Sequence, residues 1–180
     1  MLSNDLIRNI NALGVLGLSI VLAIGFWLQF TLHELPCPLC LLQRVGFVLV
    51  MYGFMLNVVR GPAFTHYGVV LVSALFGAGV ATRQVLLHIV PGTGTYGSPI
   101  LGLHFYTWSL IIFSASILAV AVLLLLTGQQ RPNKKIVVGK IQLLICWTAI
   151  IITALNAGMV FLECGPFVCP ENPDSYLLLG

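Results

Sequence analysis

Charge is what this chain has least of. Only 7% of its 180 residues are Asp, Glu, Lys or Arg, against 59% hydrophobic, and its mean hydropathy is +1.05. A soluble domain carries roughly a quarter charged residues. This chain has too few polar groups to clothe a surface in water and needs lipid as its solvent. A formal net charge of +3, with no basic patch interleaved with aromatics, gives no footing for nucleic-acid binding. Period-two alternation is missing, which disfavours a barrel. Repeats and low-complexity tracts are missing too. So are a haem-attachment motif, a flavin-binding glycine fingerprint and an iron–sulfur cysteine run.

Long apolar runs are what is present. A helix needs about 20 apolar residues to cross the hydrocarbon core, and five stretches qualify: 12–31, 41–59, 68–90, 105–126 and 141–162. Backbone groups in lipid must bond within their own segment, so these are predicted helices. The expectation is an all-α integral membrane protein, one membrane domain over 1–180 with a tail at 163–180. The first stretch is longer than a signal-peptide core and no Ala-x-Ala site follows it, so it reads as an uncleaved first helix.

Lys and Arg placement orients the bundle. Arg8, Arg60, Arg131, Lys134, Lys135 and Lys140 fall on one side, and Glu34, Glu163, Glu171 and Asp174 on the other. Basic residues mark the cytoplasmic side, which puts the N-terminus there and "PCPLC" outside. From Cys40 to Cys164 the chain crosses four times. Cys164 and Cys169, in "ECGPFVCPENP", therefore return to the outer face with Cys37 and Cys40. Disulfides persist in that compartment. Cys146 is left as an odd thiol at lipid depth, read as a small buried apolar residue.

The stretch "ELPCPLCLLQR" at 34–44 carries the chemistry. Cys37 and Cys40 sit at a helix start, where free amides and the helix dipole favour negative charge. Arg44 is four residues after Cys40, on the same helical face. Both effects favour the thiolate, the species that performs disulfide exchange. The bland readings are a structural bridge, which a two-residue loop makes weakly stabilising, or a zinc site using all four outer cysteines. An oxidising compartment and a flanking cation oppose zinc, so no metal is expected. Cys164 and Cys169 flank Gly165 and Pro166, which can turn the chain so that the sulfurs meet. Glu163 should disfavour the neighbouring thiolate. A tail staple and an exchanging disulfide both fit that pair, and its position opposite the first favours exchange. Electrons leaving a surface dithiol need a sink, and by elimination a lipid-soluble quinone is left. Arg44 either bonds a quinone oxygen or snorkels to headgroups.

Weaker signals surround these. Arg83 and His88 lie in the outer half of the third span, where the readings are a quinone-pocket lining or a headgroup contact; His88 is read as a headgroup contact and Arg83 stays open between the two. Tyr96, Phe105, Tyr106, Trp108, Trp27 and Phe30 read as an interfacial aromatic belt, with a quinone-facing wall as the alternative. Gly77 and Gly79 read as close-packing positions.

"PCPLCLLQR", "ATRQVLLHIVPG" at 81–92 and "LHFYTWSLIIF" at 103–113 resemble the bacterial disulfide bond formation protein B (DsbB) family through most of 10–126. The resemblance implies a four-helix membrane bundle in the bacterial inner membrane, here with an additional fifth transmembrane helix and a periplasmic C-terminus. It implies oxidation of a periplasmic thioredoxin-like dithiol protein (DsbA-like), with electrons delivered to ubiquinone or menaquinone. Cys37 and Cys40 correspond to that family's quinone-proximal pair, Cys40 being the sulfur that contacts quinone, and Arg44 to its quinone-side arginine. The family's second pair usually lies in the loop between the third and fourth helices, yet 91–104 has no cysteine. The expectation is that Cys164 and Cys169 substitute for it. Other expectations are a vitamin K epoxide reductase-like quinone oxidoreductase, whose quinone-side pair lies on a late helix, and a small transporter or assembly factor braced by disulfides. A membrane-impermeant thiol reagent, applied to intact cells after reduction, is expected to label Cys164 and Cys169 and to spare Cys146.

Overall fold

The computed structural model describes residues 3–32, 34–90, 92, 94–127, 137–167, 169 and 175–178. Five α-helices account for most of them: α1 (Asn4–Thr31), α2 (Pro38–Arg60), α3 (Phe64–His88), α4 (Phe105–Thr127) and α5 (Lys140–Cys164). Each is long and apolar enough to cross a membrane. No strand occurs among the described residues; Ile100 and Leu103 form an isolated bridge. The all-α expectation holds. Arg131, Lys134, Lys135, Glu171 and Asp174 lie outside the described residues.

The helices reach beyond the apolar stretches because polar residues start or pin them. α1 begins two turns early, capped by Ser3, whose side chain accepts the Leu6 N–H at 3.3 Å. The extra turns carry Arg8, which is buried. Its Nε donates to the Val58 carbonyl at 3.0 Å and its Nη2 to Gln142 Oε1 at 3.0 Å. A cation thus meets the unpaired carbonyls at the end of α2. Just inside, Asn57 donates to Asn11 at 3.0 Å and Asn11 to Tyr67 at 2.9 Å, a polar clasp across α1, α2 and α3. Such groups are costly in lipid unless satisfied, and here they satisfy one another.

Helices α1, α2, α3 and α4 pack in sequence order, whereas α5 packs chiefly on α1 and only lightly on α2. Phe113 of α4 is fully buried and stacks on Phe47 of α2, centroids 4.2 Å apart. Gly46 and Gly77 make room for it. A Cβ at Gly46 would lie 2.9 Å from the Phe113 ring, and one at Gly77 would overlap that ring. Gly79 has open space where its Cβ would be, so it is not the packing glycine it resembled in sequence. α1 and α4 are at most marginally in contact, which leaves a cleft between them floored by α2.

Gly77→Ala is expected to destabilise the bundle by about 1–3 kcal/mol through overpacking, whereas Gly79→Ala is expected to be neutral. Thermal midpoints of the two variants in detergent compare them directly.

Candidate functional site

Cys37 occupies the N-cap of α2 and Pro38 its first turn, a position where proline loses nothing. The Cys37 sulfur does what a cap serine would do and accepts the Cys40 N–H at 3.3 Å. Cys40 follows one turn on, and the two thiol sulfurs are 2.8 Å apart. From α3, the fully buried Gln84 donates its amide to both sulfurs at 3.4 Å. Gln43 donates to Gln84 Oε1 at 2.6 Å and holds that amide in place. The hydrogen bond from Cys40 lowers the pKa of Cys37 against the upward push of burial; the Cys40 and Leu39 amides and Gln84 lower it further, to about 7. A thiolate is thus favoured at the helix start.

Arg44 turns into the bundle. Its Nη1 donates to Gln29 Oε1 at 3.0 Å and to Asn156 Oδ1 at 3.3 Å, and its Nη2 to the Gly25 carbonyl at 3.2 Å. It therefore does not snorkel to headgroups. Among the described residues no carboxylate lies within ion-pair distance of it. The guanidinium instead joins α1, α2 and α5. Leu28 and Gln29 of α1, Cys40 and Arg44 of α2, Tyr106 of α4 and Tyr96 line a cavity of about 100 Å³ in the α1–α4 cleft. Cys37 does not line it.

Loops close the same end. Glu34 accepts Ser98 Oγ at 2.6 Å and the Ser98 N–H at 3.0 Å. Tyr96 donates to the Leu35 carbonyl at 2.6 Å, and burial raises its pKa, which keeps it a neutral donor. The aromatics read as a belt divide. Trp27 and Phe30 face outward, whereas Tyr106 is buried and Phe105, like Tyr96, lines the cavity. His88 does not reach for headgroups: it bonds the Gly94 carbonyl at 3.1 Å and stacks on Tyr106. Arg83 is exposed.

Cys164 and Cys169 are joined in a disulfide, Cα atoms 4.7 Å apart, around Gly165, whose φ of +60° suits a residue without a side chain. Two of the four ligands that a zinc site would need are thereby joined to each other, and no metal-holding group of His, Cys, Asp or Glu occurs among the described residues. Cys164 is buried and Cys169 partly exposed. The tail returns over α5: the Leu177 N–H donates to the Glu163 carbonyl at 3.2 Å and Leu178 to Leu162 at 3.1 Å, while Tyr176 accepts from Gln29 at 3.0 Å. Both cysteine pairs lie at one end of the bundle. At 1.5 Å per residue, Cys37 stands about 10 Å and Cys164 about 12 Å above the Arg44–Asn156 level. Glu163, grouped above with the acids of the outer side, is 1% exposed.

Gln84, Gln29, Asn156 and Gln43 escaped the sequence reading. Their signal was there: an amide inside an apolar helix is costly without a partner.

These features define a class: a helical membrane protein with a thiol pair on a helix start, beside a cleft open between two helices. The family model described as "Disulfide bond formation protein DsbB" matches residues 7–96, half of the sequence. The chain belongs to that family. The match stops short of α4, although 103–113 resembles the family as well. Among similar relatives are the disulfide bond formation proteins B of Chromobacterium violaceum, 43% identical over 38% of this chain and 45% of the relative, and of Polaromonas naphthalenivorans, 39% identical over 48% and 54%. That of Hahella chejuensis is 35% identical over 47% and 53%. The chain thus spans about half the length of the curated relatives it matches. No solved structure matches it.

Alkylation of Cys37 is expected to rise with pH through about 7, because thiol dominates below that value and thiolate above it. Gln84→Leu removes a donor to the thiolate and is expected to move the midpoint up by up to about one pH unit. Rates of iodoacetamide labelling across pH check it.

Proposed function

We propose that the chain is a protein-dithiol:quinone oxidoreductase of the bacterial inner membrane, with its N-terminus cytoplasmic and the cysteine end of the bundle periplasmic. The observation that carries this reading is the cap-bound thiol pair, one sulfur of which opens on a lipid-side cleft lined by a partly buried guanidinium.

The cleft suits a quinone head. Its walls are aromatic and aliphatic, and Arg44 and Gln29 offer polar groups at one side. A bound quinone, ubiquinone or menaquinone, supplies the capacity to take up two electrons and two protons. Arg44 holds its oxygen and favours negative charge there, Cys40 faces it, and Gln84 keeps both sulfurs in place. Cys37 is the sulfur that exchanges with the second pair, since it is the one turned from the cavity.

Cys164 and Cys169 take the part of the pair missing from 91–104. A periplasmic thioredoxin-fold dithiol protein of the DsbA kind attacks Cys169, the sulfur with access to solvent. The dithiol left at the tail then reduces Cys37–Cys40. Net, the partner loses two electrons and gains a disulfide, so the chain supports disulfide formation.

Purified protein is expected to carry quinone, and Cys40→Ser to abolish thiol oxidation; a disulfide-braced transporter would keep its activity. Cys164→Ala is expected to trap the partner as a mixed disulfide on Cys169, while Cys169→Ala traps little because Cys164 is buried. Absence of a trapped partner with both variants would remove the tail from the route.

A further inference from the structure

Glu163 is an ionisable group at the cysteine end that this reading leaves unused. Its side chain is buried, and neither carboxylate oxygen has a hydrogen-bond partner among the described residues. A buried unpartnered carboxyl is costly, and native structures hold few such groups. The tail folds over it through Leu177 and Leu178. Arg44 of α2 and Cys37 before α2 are the groups whose charge it feels; its own charge acts on Tyr96 before α4, and Tyr176 of the tail is near the same guanidinium. Arg44 donates to neutral oxygens instead of pairing with it. Glu163 is therefore next to Cys164 in the chain, near enough to Cys37 to feel its charge, and without a hydrogen-bond partner for its carboxylate among the described residues.

We propose that Glu163 is the proton carrier for exchange between the two pairs, taking the proton that Cys164 must lose and handing it to Cys37. This rests on the relay described above. With Cys164 and Cys169 reduced and Cys37–Cys40 oxidised, the Glu163 carboxylate takes the Cys164 thiol proton. The Cys164 thiolate attacks Cys37: the Cys164–Cys37 bond forms, the Cys37–Cys40 bond breaks, and Cys40 leaves as thiolate. Cys169 sheds its proton to water and attacks Cys164. The Cys164–Cys169 bond forms, and Cys37 leaves as thiolate and takes the proton from Glu163. Two electrons have moved from the tail pair to the first pair. Cys40 is left as thiolate, and the proton shed by Cys169 stays in water.

The test follows exchange in the purified full-length protein. A limiting amount of dithiothreitol reduces the tail pair, acid and alkylation quench the reaction, and mass mapping reports which cysteines are blocked over time and pH. Glu163→Gln is expected to slow transfer to Cys37 and Cys40 by about a hundredfold, as loss of a positioned acid–base group does, and to flatten its pH profile. Glu163→Asp is expected to keep the profile. Infrared spectra give a reading apart from turnover: a carboxyl band that changes when the tail pair is reduced and is missing in Glu163→Gln. An unchanged rate and profile in Glu163→Gln overturn the proposal and leave the relay standing. If the unaltered protein passes no electrons between its pairs, both fall. Should Glu163→Gln not form Cys164–Cys169, the unaltered protein decides: transfer slower in deuterium oxide supports the proton step, and equal rates overturn it.

Discussion

The arrangement of this molecule turns on one guanidinium held inside an apolar bundle. Arg44 stands two turns down α2, too deep to be left unsolvated, and its donors go to Gln29 and Gly25 of α1 and to Asn156 of α5. Neutral oxygens cannot cancel its charge, but they replace the water it has lost. α5 packs mainly on α1, and the Asn156 bond ties it to the charge at the bundle's centre. The positive field that remains is open to whatever sits in the α1–α4 cleft. A bound anion or a ring oxygen gaining electrons would meet a donor already in position, which is the economy of preorganisation.

Much of this was legible because lipid imposes simple rules. The five apolar runs could only be helices, and four crossings between Cys40 and Cys164 put both cysteine pairs at one end. The direction of side chains was not legible. Arg44 shares a face with Cys40 by spacing, yet its long stem swings towards amides on other helices. No periodicity within α2 could show that Gln29 and Asn156 would arrive beside it. Gln84 lay hidden next to Arg83 for the same reason: the charged neighbour drew notice, but it faces outward while the amide faces the sulfurs. The burial of Glu163 was not legible either, because residues 175–178 that cover it return from the tail and are apolar only in part.

The loop before α4 takes on a different meaning once it has no cysteine. In place of a redox pair it carries Tyr96 and Ser98, which bond Leu35 and Glu34 on the segment leading into Cys37. Two short, strong hydrogen bonds there fix the approach of the chain to the cap of α2, and the cap fixes the sulfur. The loop thus serves as a brace for the first pair.

Exposure gives the four sulfurs an order that the proposed relay requires. Cys169 has access to solvent and Cys164 is buried behind it. Cys37 caps the helix away from the cavity, and Cys40 lines it. In that relay a thiol at either end would touch the phase its partner comes from, water at one and lipid at the other. The two middle sulfurs are the more buried members of their pairs. Burial has a consequence for protons. Electrons pass sulfur to sulfur by contact, but a thiol buried from water has no bulk solvent to take its proton. Some group within the same dry space must do so, and Glu163 is a carboxyl buried there without another task.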